Sequence, residues 1–179
     1  MAKDDLTEKA ITWLNEHWLR PVAGIGDVEQ LIGIKASTLK TRVGRGHAMA
    51  LHTQTGGIRN RIEFSPAQLV YNLLQHAFSQ HRFSIDGLES GHCPKILEWC
   101  KWTQKHILSG PRYDTAVFRI LDRAGNTITH EFEDDEEVMR FTGEPAMIIP
   151  ISSIVFRMAI ALYVHRHPDA LTANRKAGD

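Results

Sequence analysis

The 179-residue chain is 42% hydrophobic and 23% charged, an ordinary globular composition that supports a buried core in one large or two small domains. Its 21 basic and 21 acidic side chains cancel, which argues against a protein that coats nucleic acid over its whole surface. The charge is nevertheless segregated: residues 20–82 carry a net +5 and residues 83–179 a net −3, so the first segment is the one expected to meet a polyanion.

The N-terminal residues lack a basic stretch followed by an apolar run, so no signal peptide is expected. Asp5 with Glu8 makes a capping-box start, and Leu6, Ala10, Ile11, Leu14 and Trp18 recur at helical spacing until Pro21. A short helix over Asp27 to Ile32 follows, with Val28, Leu31 and Ile32 on its apolar face and Gly33-Ile34 in a tight turn. The next helix, Ala36 to Val43, turns Leu39 and Val43 inward and leaves Thr38, Lys40, Thr41 and Arg42 outside. Gly44 and Gly46 end it, and the period changes to two. His47 to Thr53 and Ile58 to Phe64 read as the strands of a hairpin turning at Gln54 to Gly57, with Ile58, Ile62 and Phe64 on one face and Arg59, Arg61 and Glu63 on the other. Ser65 caps, and Pro66 opens, an amphipathic helix marked by Leu69, Val70, Leu73, Leu74, Ala77 and Phe78.

Beyond Gly91, Pro94 to Leu108 predicts a helix containing Trp99 and Trp102, broken at Ser109-Gly110-Pro111. Thr115 to Leu121 and Thr127 to Phe132 predict a second hairpin around Asp122 to Asn126. The acidic run Glu133 to Glu137 is expected to open a short helix, Ala146 to Ile151 to form a buried strand, and Ser152 or Ser153 to cap a last helix reaching His165. The longest apolar stretch, Ala146 to Ala161, is interrupted by Pro150, Ser152, Ser153 and Arg157, so no transmembrane helix is expected. Residues 169–179 read as a disordered tail.

Two short helices joined by a tight turn, then a hairpin, describe a winged helix-turn-helix. In such a unit the second helix enters a major groove about 12 Å wide, where all base pairs are distinguishable, and the wing reaches phosphate or the minor groove. Ser37, Thr38, Lys40, Thr41, Arg42 and Arg45 supply hydroxyls and cations on or just after the second helix, and Arg59 and Arg61 supply cations on the wing. Thr38, Lys40 and Arg42 are expected to choose the sequence, and Arg59 and Arg61 to hold the backbone. The stretch from Ile25 to Lys40, with Thr38-Leu39-Lys40, resembles the helix-turn-helix of the MerR-type regulators. Thr55-Gly56-Gly57-Ile58-Arg59 is similar to that family's wing turn, and Phe64-Ser65-Pro66-Ala67-Gln68-Leu69 to the start of its next helix. The resemblance covers residues 25–88 and implies a DNA-binding regulator. Four features depart from the family: Thr41 and Arg42 replace its usual aromatic pair, Lys35 stands where a capping hydroxyl or carboxylate is usual, the wing carries extra residues between Arg59 and Phe64, and Gly91 and Pro94 interrupt the long dimerising helix.

Cys93 and Cys100 are too few for a secreted disulfide framework and are expected to be reduced thiols of a cytoplasmic protein. With His92 and His106 they could in principle hold zinc, but a seven-residue spacing on a helix separates the thiols by about 10 Å, so no metal site is expected. Glu133 to Glu137 lacks the alternation and glycine of a calcium loop, and no catalytic constellation stands out.

The sequence thus predicts an α+β protein: a winged helix-turn-helix with a preceding helix over residues 1–90, a small mixed α/β C-terminal domain over 91–168, and the tail 169–179. Its expected function is sequence-specific duplex-DNA binding that regulates transcription by operator occupancy, as a homodimer on two half-sites, without enzyme activity, cofactor or membrane. The C-terminal domain is expected to dimerise or bind a protein partner. The alternatives are a phage-type DNA-binding factor for recombination directionality or packaging, and an antitoxin or adaptor module.

Overall fold

Ala10, Ile11, Leu14 and Trp18 lie buried on one face of α1 (Ala2–Glu16) and the turn after it. The computed structural model describes residues 2–54, 60–80, 88–108, 117–123, 126–132, 146–149 and 151–170. Helix α1 starts a turn earlier than the Asp5 cap predicts, so Asp5 and Glu8 lie within the helix rather than at its start. At its other end the Trp13 carbonyl accepts from the His17 backbone N–H (3.1 Å) and from His17 Nδ1 (2.8 Å), which closes the helix before Pro21.

Next come β1 (Ala23–Gly24), α2 (Val28–Ile32) and α3 (Ala36–Gly44). Gly33 closes α2 in the left-handed region, with φ 71°, and donates to the Glu29 carbonyl. A side chain there would be strained, so the glycine sets the angle between α2 and α3. Val28, Leu31, Leu39 and Val43 are buried as their spacing predicts. Lys35 occupies the start of α3 and makes no side-chain cap.

Strands β2 (Leu51–Gln54) and β3 (Asn60–Phe64) pair antiparallel, Leu51 opposite Glu63 and Gln54 opposite Asn60. The first predicted strand is shorter than expected: residues 47–50 lead up to the sheet, where the His47 N–H donates to the Arg42 carbonyl (2.8 Å) and the Asn72 side chain holds the Met49 backbone. β1 pairs with the free edge of β3, giving the order β1-β3-β2. Helix α4 (Pro66–Gln80) starts on a reciprocal cap: the Ser65 N–H donates to Gln68 Oε1 (2.9 Å), and the Gln68 N–H donates to Ser65 Oγ (3.4 Å).

Helix α5 (Pro94–Thr103) continues into a wider π turn over Gln104–Leu108 and stacks Trp99 on Phe78 of α4, ring centroids 5.1 Å apart. Strands β4 (Val117–Arg123), β5 (Asn126–Phe132) and β6 (Ala146–Ile149) form a second antiparallel sheet in the order β5-β4-β6. Helix α6 (Ile151–Arg166) begins directly after β6, ahead of the serine caps predicted for it. Val155, Met158, Ala159 and Leu162 recur at helical spacing and are buried, and α6 packs along α1. One buried cluster runs from Ala10 through Leu69 and Trp99 to Leu162, so α5 and α6 share the core of the N-terminal elements. The architecture is mixed α+β. The predicted wing turn with Arg59, residues 81–87 near the end of the 25–88 resemblance, the break at 109–111, the acidic run 133–137 and residues 171–179 lie outside the described residues.

Candidate nucleic-acid interface

Helix α3 has a narrow apolar stripe. Leu39 and Val43 fix the buried direction, and at roughly 100° per residue Thr41 falls opposite it, flanked by Ser37, Thr38 and Arg45. Ser37, Thr38, Lys40, Thr41 and Arg45 are all exposed. The Thr41 hydroxyl donates to the Ser37 carbonyl (3.0 Å), which orients its lone pairs outward as acceptors. Arg45 follows the last helical turn, and its N–H closes onto the Thr41 and Arg42 carbonyls. The crest of α3 therefore offers hydroxyls along its length and a cation at its C-terminal end.

Arg42 is placed differently from its neighbours. It lies on the flank of α3, half-buried, where burial pushes its guanidinium below the ordinary value while Glu89 and Tyr71 act in the other direction. The same flank meets α4: His76 is pushed below its ordinary value by burial, with the Arg42 charge adding to the effect. Part of the Arg42 charge is thus spent on the protein itself, and Thr41 and Arg45 are better placed than Arg42 to meet a partner.

Arg61 lies on β3 with its side chain 64% exposed, and its Nε is 3.2 Å from Glu63 Oε1 on the same strand face. Its guanidinium also comes near Gly24, whose added Cβ would stand 3.9 Å from it. The neighbouring carboxylate offsets part of the charge that Arg61 presents to solvent. The structure joins Ser37, Thr38, Lys40, Thr41, Arg42 and Arg45 on α3 and its end, while Arg61 stands apart on the sheet.

The residues that hold this surface rigid were missed by periodicity. Asn72 grips the backbone of Met49 in both directions: Oδ1 accepts the Met49 N–H (3.0 Å), and Nδ2 donates to the Met49 carbonyl (2.8 Å). One turn on, Gln75 Nε2 donates to the carbonyls of Leu88 (2.6 Å) and Ser90 (3.0 Å). The Tyr71 hydroxyl donates to Ser90 (2.8 Å) and accepts from the Cys93 N–H (2.7 Å). The Gly91 N–H donates to the Gly46 carbonyl (2.8 Å), and Gly46 itself has φ 72°. A polar stripe on α4 therefore ties the chain leaving α3 to the segment before α5. Gln68, Asn72 and Gln75, spaced by four and three, were the available signal.

At the back, Arg166 of α6 donates to the Val22 carbonyl from Nε (2.8 Å) and from a second guanidinium nitrogen. His165 Nε2 stands 3.8 Å from Asp27 Oδ1, while the other Asp27 oxygen accepts the Gly24 N–H (2.9 Å). Among the described residues no group of three His, Cys, Asp or Glu side chains is placed to hold a metal ion, and no helix is long and apolar enough to cross a membrane. Cys93 and Cys100 are both buried as free thiols.

No protein-family model matches the chain, and no curated protein matches it.

Proposed function

We propose that the chain is a sequence-specific duplex-DNA-binding transcriptional regulator whose α2, turn and α3 act as a helix-turn-helix, with β2 and β3 as its wing. α3 is the reading helix. The observation that carries this is its division: Leu39 and Val43 are buried, whereas Ser37, Thr38, Lys40, Thr41 and Arg45 are exposed together on a helix braced from behind. Hydroxyls and cations in that arrangement match the acceptors and donors of base edges and the charge of phosphate. The net +5 of residues 20–82 supports an anionic partner. Two copies on adjacent half-sites would multiply the limited specificity of one short helix.

The test is selection from a random duplex library with the full chain, followed by titration of the enriched site and a scrambled one at several salt concentrations. A preferred sequence bound with a steep salt dependence is the expected result. Failure to enrich any sequence, or affinity indifferent to salt, refutes the proposal.

A further inference from the structure

A cavity of about 370 Å³ opens beside the start of α4, away from the crest of α3. It lies within the range of about 300 to 1,000 Å³ usual for small-molecule sites. Trp18 and Leu19, Met49 and Leu51, and Leu97 and Cys100 form its walls, and Ala67 and Tyr71 lie between them. Leu19 is 76% exposed and is the one exposed large hydrophobic among the described residues.

The polar atoms of the walls are mostly committed. Ser65 and Gln68 cap each other, and the Tyr71 hydroxyl is held by Ser90 and Cys93, so this ring offers only its apolar surface. Burial pushes the Cys100 thiol up to about 12, which keeps it protonated and a poor nucleophile, so an occupant meets it as an apolar contact. The remaining lining group is Lys101, exposed and without an ion pair to any described residue.

We infer that this cavity is a reversible binding site for a small amphipathic acid, its apolar body between the turn after α1, the approach to β2, α4 and α5, and its anionic end at Lys101. The concave shape and single charge select such a ligand over a protein surface. A specific interface covers roughly 800 Å² per partner and needs a broad apolar patch, whereas here Leu19 is the one exposed large hydrophobic among the described residues and it lines a concave cavity. The site is independent of the DNA-binding reading.

The probe is decanoate, with decanol as its uncharged counterpart, titrated into full-length chain carrying 13C-methyl methionine. Met49 lines the cavity, whereas Met158 is buried in α6 and serves as the internal control. Decanoate is expected to shift the Met49 methyl saturably and leave Met158 still. Lys101→Gln should weaken decanoate ~1.5- to 5-fold, the size of one exposed charge contact, and leave decanol unchanged. Ala67→Phe, which fills the space, should abolish both at unchanged melting temperature. Should that variant melt early, the Lys101→Gln comparison decides alone. An unmoved Met49, equal affinity for decanoate and decanol, or shifts of Met49 and Met158 together overturn the inference. So does a Met49 shift that follows protein concentration without decanoate, which would make a second copy the occupant.

Discussion

Replacing Asn72 by leucine keeps the side chain's size and removes both hydrogen bonds to Met49. Asn72 is 1% exposed, and its bonds of 3.0 and 2.8 Å serve a backbone N–H and a carbonyl that belong to no strand pair. A buried backbone group left unsatisfied costs about 1 to 3 kcal/mol. Met49 is half-buried, so water can recover part of this, and the loss should total about 2 to 4 kcal/mol. That is a large fraction of the roughly 5 to 15 kcal/mol that holds an ordinary domain together. Urea unfolding should show it as a midpoint lowered by about 1 to 2 M at unchanged slope. Amide exchange should localise it: the Met49 N–H accelerates beyond the global change, while Leu74 on α4 follows global stability alone. On the proposed DNA site, Asn72→Leu lowers affinity without altering the salt slope, because no cation is removed. A loss below about 0.5 kcal/mol, or Met49 exchange that tracks Leu74, refutes the clamp.

Arg45→Ala should weaken binding to the selected DNA and reduce the salt slope by about one, whereas Arg61→Ala should change it less because Glu63 already pairs with that charge; the reverse order in salt titrations refutes the placement of the two cations. Gly91→Ala sets a Cβ 3.0 Å from both the Gly46 and Ala48 carbonyl oxygens, which are backbone and cannot rotate away, and should cost about 1 to 3 kcal/mol in urea unfolding; a neutral result shows that the segment yields. His76 is held below its ordinary value in the folded chain, so as pH falls the unfolded chain takes up its proton first. Its share of stability is then complete above about 6.5 and declines from there down through the folded value. His76→Gln should flatten the stability profile in that window relative to the parent chain, and identical profiles refute it. Tyr71→Phe leaves the Cys93 N–H and Ser90 carbonyl without the hydroxyl and should cost about 1 to 3 kcal/mol by the same unfolding measurement, with no loss contradicting the bond pair.

Local periodicity made much of this legible. The spacing of Ala10, Leu14 and Trp18, the Leu39 and Val43 pair, and the Leu69, Val70, Leu74 and Phe78 positions of α4 each encode one buried face, and a buried face is a local property. β1 escaped because a two-residue strand has no period to read; its pairing is set by Phe64 and Glu63 arriving alongside. Asn72 and Gln75 escaped for the opposite reason. Polar residues on an amphipathic helix read as its wet face, and only the arrival of residues 46–49 and 88–93 buries them. Arg42 read as outward because its position on the flank is ambiguous until Glu89 and Tyr71 come near. The Arg61 and Glu63 pair was visible in principle, since opposite charges two apart on a strand share a face.

The division of charge and the division of the core do not coincide, and this bears on how the molecule works. The sequence places a change of composition near Gly91, with a basic segment before it and an acidic one after. The buried cluster crosses that point: Trp99 stacks on Phe78, and Val155, Met158, Ala159 and Leu162 belong to the same cluster as Ala10, Ile11 and Leu14. A chain ending at Gly91 therefore loses more than a partner-binding appendage. It uncovers the face of α1 against which α6 packs and removes the Arg166 bonds to Val22, which lies just before β1 and α2. On the proposed DNA site, association of subunits is thus a poor sole explanation for any drop in affinity on such truncation, because the brace behind α2 goes with it. Arg166→Ala in the full chain separates the two effects: it removes the bonds to Val22 while leaving the apolar packing of α6 in place. A fall in affinity at unchanged subunit mass assigns the effect to the brace, and unchanged affinity assigns the loss on truncation to the missing packing or association.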